Sequence, residues 1–571
     1  MMWWKRRRRD PEIAPDEIFL DASNAPEFNR ERLEGRIEKP LPRASFFLLT
    51  VGLAALFLVL VIRTWDIQIT HGADYAAESA HNSLDVETIF APRGIITDVN
   101  GVVLAENVQK EDGTVERRYP IPSLSQVIGY VSYPKKDSSG VYYDLFERGV
   151  TALEAEYNDM LTGANGKKLT ETDALGRVRS TGTIVPAEPG KTLELSVDAV
   201  VQRVLARAVS ETASRTGFIA GAGVIMDTET GAVRALVSYP SYDSNVMSQG
   251  GPASVIAAYN TNPGRPFLDH AVQGVYAPGS IVKPIVASGA LTDGLITPST
   301  IFDDPGFLSL PDPYHPGKTY IYKGWKALGP VDVRKAIAWS SDIFFYTVGG
   351  GFGSQKGLGI DRLGYWYRQF GLGMATGIDL PGEADGLIPT PEWKKSVFNE
   401  PWYLGDTYFT AIGQYSVQVT PIQMVRATAA IANGGKLFTP TLIAGQAPVF
   451  TKIPVDETAL AVVRSGMRQT VTSALASALN FPYVSVAAKT GTAQTGTRNQ
   501  YDNSWVVGFF PYDNPQYAFA VVLERGPEGA GSQAVNVMRD FFIALHAENS
   551  AYVGPSTSSG QAATASPAIA L

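Results

Sequence analysis

The chain has 571 residues, too many for one hydrophobic core, and a working size of about 150 residues per domain allows two to four domains. A formal net charge of -8 leaves no basic surface of the kind that nucleic-acid binding needs. The absence of cysteine excludes disulfides, thiolate catalysis and zinc–thiolate sites.

The first predicted element is SFFLLTVGLAALFLVLVI, residues 45–62, a run of 18 residues without a charge. That length reaches the minimum for a membrane-spanning helix and exceeds the roughly 7 to 15 apolar residues of a cleavable signal. A buried helix of a soluble domain shows a polar stripe, whereas this one has only Ser45 and Thr50. Arg30, Arg32, Arg36, Lys39 and Arg43 precede the span, and Arg63 alone follows it before Arg93. Positive residues stay inside, so residues 1–44 are expected as a cytoplasmic tail, 45–63 as the span, and the remainder outside the cytoplasmic membrane. The run KRRRR at 5–9 reads as a solvated charge run or as a contact for anionic lipid.

Residues 64–215 read as mixed strands, turns and helices. In RGIITDVNGVVLAEN, Asn100-Gly101 lies between two apolar runs, the signature of a two-residue hairpin. Asp198 is placed to cap a helix whose apolar face is Val201, Val204, Leu205, Ala208 and Val209. A second unit, 216–548, opens with two β-rich runs flanking the turn DTETG. It closes with VSVAAKTGTAQ, NSWVVGFFP and QYAFAVVLER, three successive strand patterns that predict an antiparallel sheet in a mixed α and β domain. Residues 549–571 form a Ser/Ala/Gly/Pro tail of disordered composition.

One stretch, YAPGSIVKPIV, places Ser280 three residues before Lys283. On a helix the two share a face, and the apolar Ile281, Val282, Ile285 and Val286 would desolvate the amine. A desolvated lysine loses proton affinity and can serve as a base toward serine. Pro284 is tolerated in a first turn, where backbone N–H groups have no helical partner. The same spacing also describes an ordinary helix cap, and it becomes specific only in company. Ser340-Ser341-Asp342 follows about sixty residues later and Lys489-Thr490-Gly491 about two hundred later, so that S-x-x-K, a second serine motif and K-T-G occur in the order of penicillin-binding proteins and class A β-lactamases. Taken alone, Ser340 and Asp342 could equally cap the helix that follows.

With RGIITDVNGVVLAEN, VIMDTETGAVRALVSYPSYDSN, GLGMATGIDLPGE and GDTYFTAIGQYSVQVTPIQM, the chain resembles class B penicillin-binding proteins from the span to residue 548. It is most similar to the elongation-type group, penicillin-binding protein 2, because the second motif ends in Asp342 where division enzymes usually carry Asn. The resemblance implies a multidomain α+β protein: a single N-terminal transmembrane helix, an elongated pedestal or dimerisation domain over 64–215, and a serine β-lactamase-like transpeptidase domain over 216–548. It implies a peptidoglycan D,D-transpeptidase that cross-links stem peptides ending in D-Ala-D-Ala through a serine acyl-enzyme, needs no cofactor, and is inhibited by β-lactams. Ser280 is then the nucleophile, Lys283 its base, Ser340 a proton relay, and Asp342 the holder of Lys283. Lys489, Thr490, Gly491 and Thr492 bind the substrate, with the N–H groups of Ser280 and Thr492 as the oxyanion hole. Implied partners are a SEDS-type glycosyltransferase of the RodA kind and scaffold proteins such as MreC.

Three features depart from the pattern. A carboxylate at Asp342 favours a charged Lys283, contrary to a neutral base. Asn503 stands where relatives often have His or Asp. His315 lies near Asp303, Asp304 and Asp312, where some elongation enzymes hold zinc together with a cysteine; without cysteine, no metal is expected. The competing functions are a septal class B enzyme, a D,D-carboxypeptidase or β-lactamase with the same serine and lysines, and a β-lactam sensor or scaffold. A β-lactamase needs no anchor or pedestal, and a sensor needs a larger cytoplasmic module than 44 residues.

Overall fold

The structure is a computed structural model that describes residues 43–81, 84–111, 115–138, 142–172, 178–312, 315, 317–497 and 499–553. Of the cytoplasmic tail expected over 1–44, residues 1–42 lie outside the described residues, as does most of the tail expected over 549–571. The chain divides into two compact units, one comprising Met1–Asp85 with Leu169–Thr181 and the other Val86–Lys168 with Gly182–Leu571.

In the first unit, α1 spans Arg43–Trp65 and continues through a π-helical turn, Asp66–Thr70, before α2, Gly72–His81. Arg63 and Asp66 pair at 3.1 Å across that turn. Among the described residues, Arg43–Thr70 is the one helical stretch long and apolar enough to cross a membrane. It contains the predicted span and extends past it on the C-terminal side.

The second unit contains the short strands β1 (Ile96–Thr97), β2 (Val103–Gln109) and β3 (Val115–Arg118). The connection of β1 to β2 is wider than the predicted two-residue hairpin. Asp98 N–H donates to Val102 O (2.8 Å), while the Asp98 carboxylate accepts from the N–H groups of Asn100 (2.8 Å) and Val102 (2.7 Å). The side chain thus captures the turn, and Gly101 takes the left-handed conformation (φ +80°) that ends it. Helix α3, Ala152–Glu156, contributes the fully buried Glu154, which binds Arg93 (2.6 Å) and Arg117 (2.9 Å). Strand β4, Leu193–Glu194, completes a sheet in the order β4-β1-β2-β3.

Helix α4, Ala199–Thr216, starts where predicted: the Asp198 carboxylate accepts from the N–H groups of Val200 and Val201, and the expected apolar face is buried. Strands β5 (Ala220–Asp227) and β6 (Val233–Tyr239) pair through the DTETG turn. Further along lie α5 (Lys283–Thr292), α6 (Asp342–Gly350) and α7 (Pro421–Ala432). The three predicted strands follow as β7 (Ala487–Thr495), β8 (Tyr501–Phe510) and β9 (Tyr517–Pro527), and α8 covers Gln533–Glu548.

The resulting antiparallel sheet has the order β6-β5-β9-β8-β7. Both of its faces are covered, which is why its strands read as nearly continuous apolar runs. Alternate residues feed two cores. Ile225, Val237, Val506, Phe519 and Val521 join α4 and α8, whereas Val224, Leu236, Val507, Ala520 and Val522 join α7 and the helices beyond it. Each fully buried Val, Leu, Ile or Phe contributes about 1.5–3 kcal/mol of apolar burial. Strand β7, carrying Lys489-Thr490-Gly491, is an edge of the sheet.

Candidate active site

The segment delivering Ser280 enters through Gly279, whose φ of +57° suits glycine and whose N–H donates to Gly413 O (2.8 Å). Residues Gly279–Val282 form a 3-10 turn that runs into α5, with Pro284 in the first α-helical turn. Ser280 therefore lies within the turn, whose N-cap position is Pro278, and no side chain among the described residues caps it. The alternative of Ser280 as a helix cap is overturned.

Lys283 is fully buried. Its Nζ lies 2.6 Å from Asp342 Oδ1, 3.1 Å from Ser340 Oγ and 2.9 Å from Ser340 O, and stands 5.5 Å from the centroid of Phe345. The cap of α6 is neither Ser340 nor Asp342 but Ser341, which accepts from Phe344 N–H (3.1 Å) and donates to Asp304 Oδ2 (2.5 Å). That leaves Ser340 and Asp342 to face Lys283. Ser340 holds a left-handed backbone at φ +57°, a conformation that costs a non-glycine residue about 1–3 kcal/mol. Asp342 opens α6, where a helix N-terminus favours a carboxylate.

Burial pushes the Lys283 amine below the ordinary lysine range and outweighs the opposing pull of Asp342. The carboxylate expected to hold Lys283 charged is thus the weaker influence. Lys489, also fully buried, is held well below its ordinary value by burial and then by the nearby charge of Lys283, with Asp342 pulling the other way. Its Nζ donates to Thr490 O (2.7 Å).

Strand β7 packs its backbone on the start of the Ser280 turn. A Cβ on Gly279 would stand 2.7 Å from Thr492 O, and one on Gly491 would stand 2.9 Å from both Pro278 O and Ile281 Cγ2. Gly491 is thus required by the packing of strand on helix, a constraint distinct from room for substrate. Thr492 O accepts from Gln414 Nε2 (3.4 Å), away from β8. In an antiparallel strand a residue's N–H and C=O point to the same side, so the Thr492 N–H also faces the free edge.

Two further positions have local partners. Asn503 is buried, and its Oδ1 accepts from Arg525 N–H (2.9 Å) beside a register shift between β8 and β9. His315 Nδ1 lies 2.9 Å from Asp312 Oδ2, while Asp304 is turned inward to Ser341 and Gly306 N–H. Sequence reasoning missed Asp304, Gly413 and Gln414 as supports of the site; Gly-Gln within AIGQYS was visible, but nothing local tied it to a strand eighty residues away.

Comparison with known proteins places this geometry in a family. The model of the penicillin-binding protein transpeptidase domain matches residues 221–542, and that of the penicillin-binding protein dimerisation domain matches 112–195. The peptidoglycan D,D-transpeptidase MrdA of Acinetobacter baumannii is 30% identical, over 90% of this chain and 89% of the relative. A chain from a structure of a peptidoglycan synthase complex, in which polymerisation and crosslinking are coordinated, superposes with a TM-score of 0.69 at 28% identity, covering 88% of this chain and 98% of that one. Penicillin-binding protein 2 of Helicobacter pylori, in its complex with MreC, gives 0.68 at 27% identity, covering 82% of this chain and 99% of that one. Motif order, module order and fold agree over nearly the whole chain, which belongs to the penicillin-binding proteins, among the class B, elongation-type peptidoglycan D,D-transpeptidases.

Proposed function

We propose that this transpeptidase works through Ser280 as nucleophile and Lys283 as its base. The observation that carries the reading is the buried Lys283 amine, held below its ordinary range and bonded to both Ser340 and Asp342. Ser280 Oγ attacks the penultimate D-alanine carbonyl as its proton passes to Lys283 Nζ. Ser340 Oγ relays that proton to the leaving amine, the C–N bond breaks, and the terminal D-alanine departs from an ester on Ser280. The amine of a second strand then attacks the ester, returning the proton to Ser280 by the same route. Asp342 orients Lys283, and the low proton affinity of the amine comes from burial.

Lys489 and Thr490 receive the terminal carboxylate, for which a charge-assisted bond is strong. The N–H groups of Ser280 and Thr492 stabilise the oxyanion, where loss of one donor costs about 3 kcal/mol. β-Lactams acylate the same serine. The tail 1–44 lies in the cytoplasm, the span covers 45–63, the pedestal 64–215 and the catalytic domain 216–548 stand outside the membrane, and 549–571 is a tail. MreC and a RodA-like SEDS glycosyltransferase are the expected partners; the structural relatives in a synthase complex and bound to MreC support this.

Labelling the full chain with a fluorescent penicillin tests the site. Ser280→Ala abolishes the covalent label, and a long-lived acyl-enzyme separates transpeptidase from carboxypeptidase or β-lactamase chemistry. Persistent labelling of Ser280→Ala overturns the assignment.

A further inference from the structure

The segment just before Ser280 is held from behind by a buried polar cluster that has no part in the chemistry above. His270 is fully buried. Its Nε2 lies 2.8 Å from Gly264 O and its Nδ1 lies 2.7 Å from the Tyr276 hydroxyl and 3.2 Å from Glu524 Oε2. A carbonyl oxygen can only accept, so Nε2 carries a proton and Nδ1 is the atom that meets Tyr276. Glu524 extends from β9 and is tied to Arg265 (3.0 Å). Although burial pushes the Glu524 carboxyl up, His270 and Arg265 hold it below its ordinary value. Asp269, the remaining acid here, instead accepts from Ala271 N–H (2.8 Å).

Tyr276 is fastened on every side. Its backbone exchanges two hydrogen bonds with Val419, each 2.9 Å. Its ring meets Trp505 edge to face at 5.9 Å, and a Cβ on Gly274 would stand 2.4 Å from its hydroxyl. Trp505, fully buried on β8 opposite Gly491 of β7, donates its indole N–H to Ala277 O (3.1 Å). Gly279 N–H is held by Gly413 two residues later. The chain from 276 to 279 therefore has bonds at three of its four residues before it releases Ser280.

We propose that His270 is a positioning residue: with Glu524 it fixes Tyr276, and Tyr276 together with Trp505 sets the place of the Ser280 turn against strand β7. The inference rests on the reading of Ser280 as nucleophile. The cluster lies behind the nucleophile and bonds to the chain that carries it, so its loss acts on the geometry of attack and not on the affinity for ligand. Displacement of an attacking atom by about 1 Å costs on the order of a hundredfold in rate.

Acylation of the full-length protein by a fluorescent penicillin, followed over a range of drug concentrations, separates the limiting acylation rate from the half-saturating concentration. Tyr276→Phe removes one oxygen and is expected to lower the limiting rate about tenfold with the half-saturating concentration unchanged. His270→Asn lowers it by at least as much, and the double variant is no slower than the slower single one, because both act through one contact. Trp505→Phe, which removes the donor to Ala277 O, behaves like Tyr276→Phe. A purely structural role would reduce the fraction of protein that labels or its melting temperature while the surviving fraction acylates at the wild-type rate. That result, or additive losses in the double variant, overturns the proposal. If His270→Asn fails to fold, Tyr276→Phe decides: an unchanged limiting rate refutes it. Failure of the underlying reading is distinguishable, because Ser280→Ala would then still label.

Discussion

Replacing Gly491 by alanine tests whether the packing of β7 against the Ser280 turn sets the reaction geometry. The added Cβ would stand 2.9 Å from Ile281 Cγ2, against a comfortable carbon–carbon separation of about 3.5–4.0 Å, so about 0.6 Å must be found. Ile281 can yield a little by rotation. The second obstacle, Pro278 O at the same 2.9 Å, is backbone. The residue after it, Gly279, is pinned by Gly413 O and already faces Thr492 O across a space too small for a Cβ. The strand must therefore retreat instead of the turn. Overpacking of this kind costs about 1–3 kcal/mol. A retreat of several tenths of an ångström carries Lys489 and Thr492 away from Ser280, which predicts a limiting acylation rate lowered about 10- to 100-fold. Stopped-flow acylation with a fluorescent penicillin, beside thermal unfolding of the same preparation, measures both effects. A variant with the wild-type limiting rate and an unchanged melting temperature refutes the reasoning. A rise in the half-saturating concentration alone would show that Gly491 instead provides clearance for substrate.

Asp342→Asn removes the carboxylate that favours the charged form of Lys283, so the acid limb of the acylation-rate profile moves to lower pH; a move to higher pH contradicts the assignment of Lys283 as base. In the pedestal, Glu154→Ala leaves Arg93 and Arg117 buried without their carboxylate, and thermal or denaturant unfolding should register a loss of about 3–5 kcal/mol. Burial pushes the Glu147 carboxyl from 4.5 up to about 7, with Arg117 and Arg93 pulling the other way. Because the folded state favours the protonated form, this group's contribution to stability is complete below about pH 4.5 and is lost as pH rises through about 7. Glu147→Gln, a neutral mimic of that form, should therefore melt higher than the wild type above pH 7; equal melting across the range counts against it.

Much of the fold is legible because local rules and tertiary packing agree. Asp198 caps α4 with its own carboxylate, and the five apolar positions picked by period are buried. The strands β8 and β9 read as apolar runs because both faces of the sheet are covered. Where reading failed, a side chain had intervened. Asp98 captures the N–H groups of its turn and widens a hairpin that Asn-Gly alone would close in two residues. In Ser340-Ser341-Asp342, composition cannot say which serine caps the helix. The choice is made by Asp304, 37 residues earlier, which accepts from Ser341, and by the left-handed backbone of Ser340. The same limit applied to Gly491: only the approach of Pro278 and Ile281, over two hundred residues earlier in the chain, reveals why a Cβ is excluded. The motifs named the residues of the site by resemblance, while their arrangement depended on contacts that no local pattern encodes.

Those contacts also resolve the charge problem raised by Asp342. Two lysines, Lys283 and Lys489, are fully buried within reach of one carboxylate. If both were charged, one positive charge would lie buried without compensation, a costly state that proteins avoid by releasing a proton. Burial lowers both amines, and the charge of Lys283 lowers Lys489 further. Asp342 can support one cation and not two. An arriving stem-peptide or β-lactam carboxylate supplies the second negative charge in the role proposed for Lys489, and Lys489 can then hold its proton without drawing on Asp342. Under the proposed reading of Lys283 as base, the aspartate in the second motif is compatible with that role, because burial lowers the Lys283 amine by more than its nearest neighbour, Asp342, raises it.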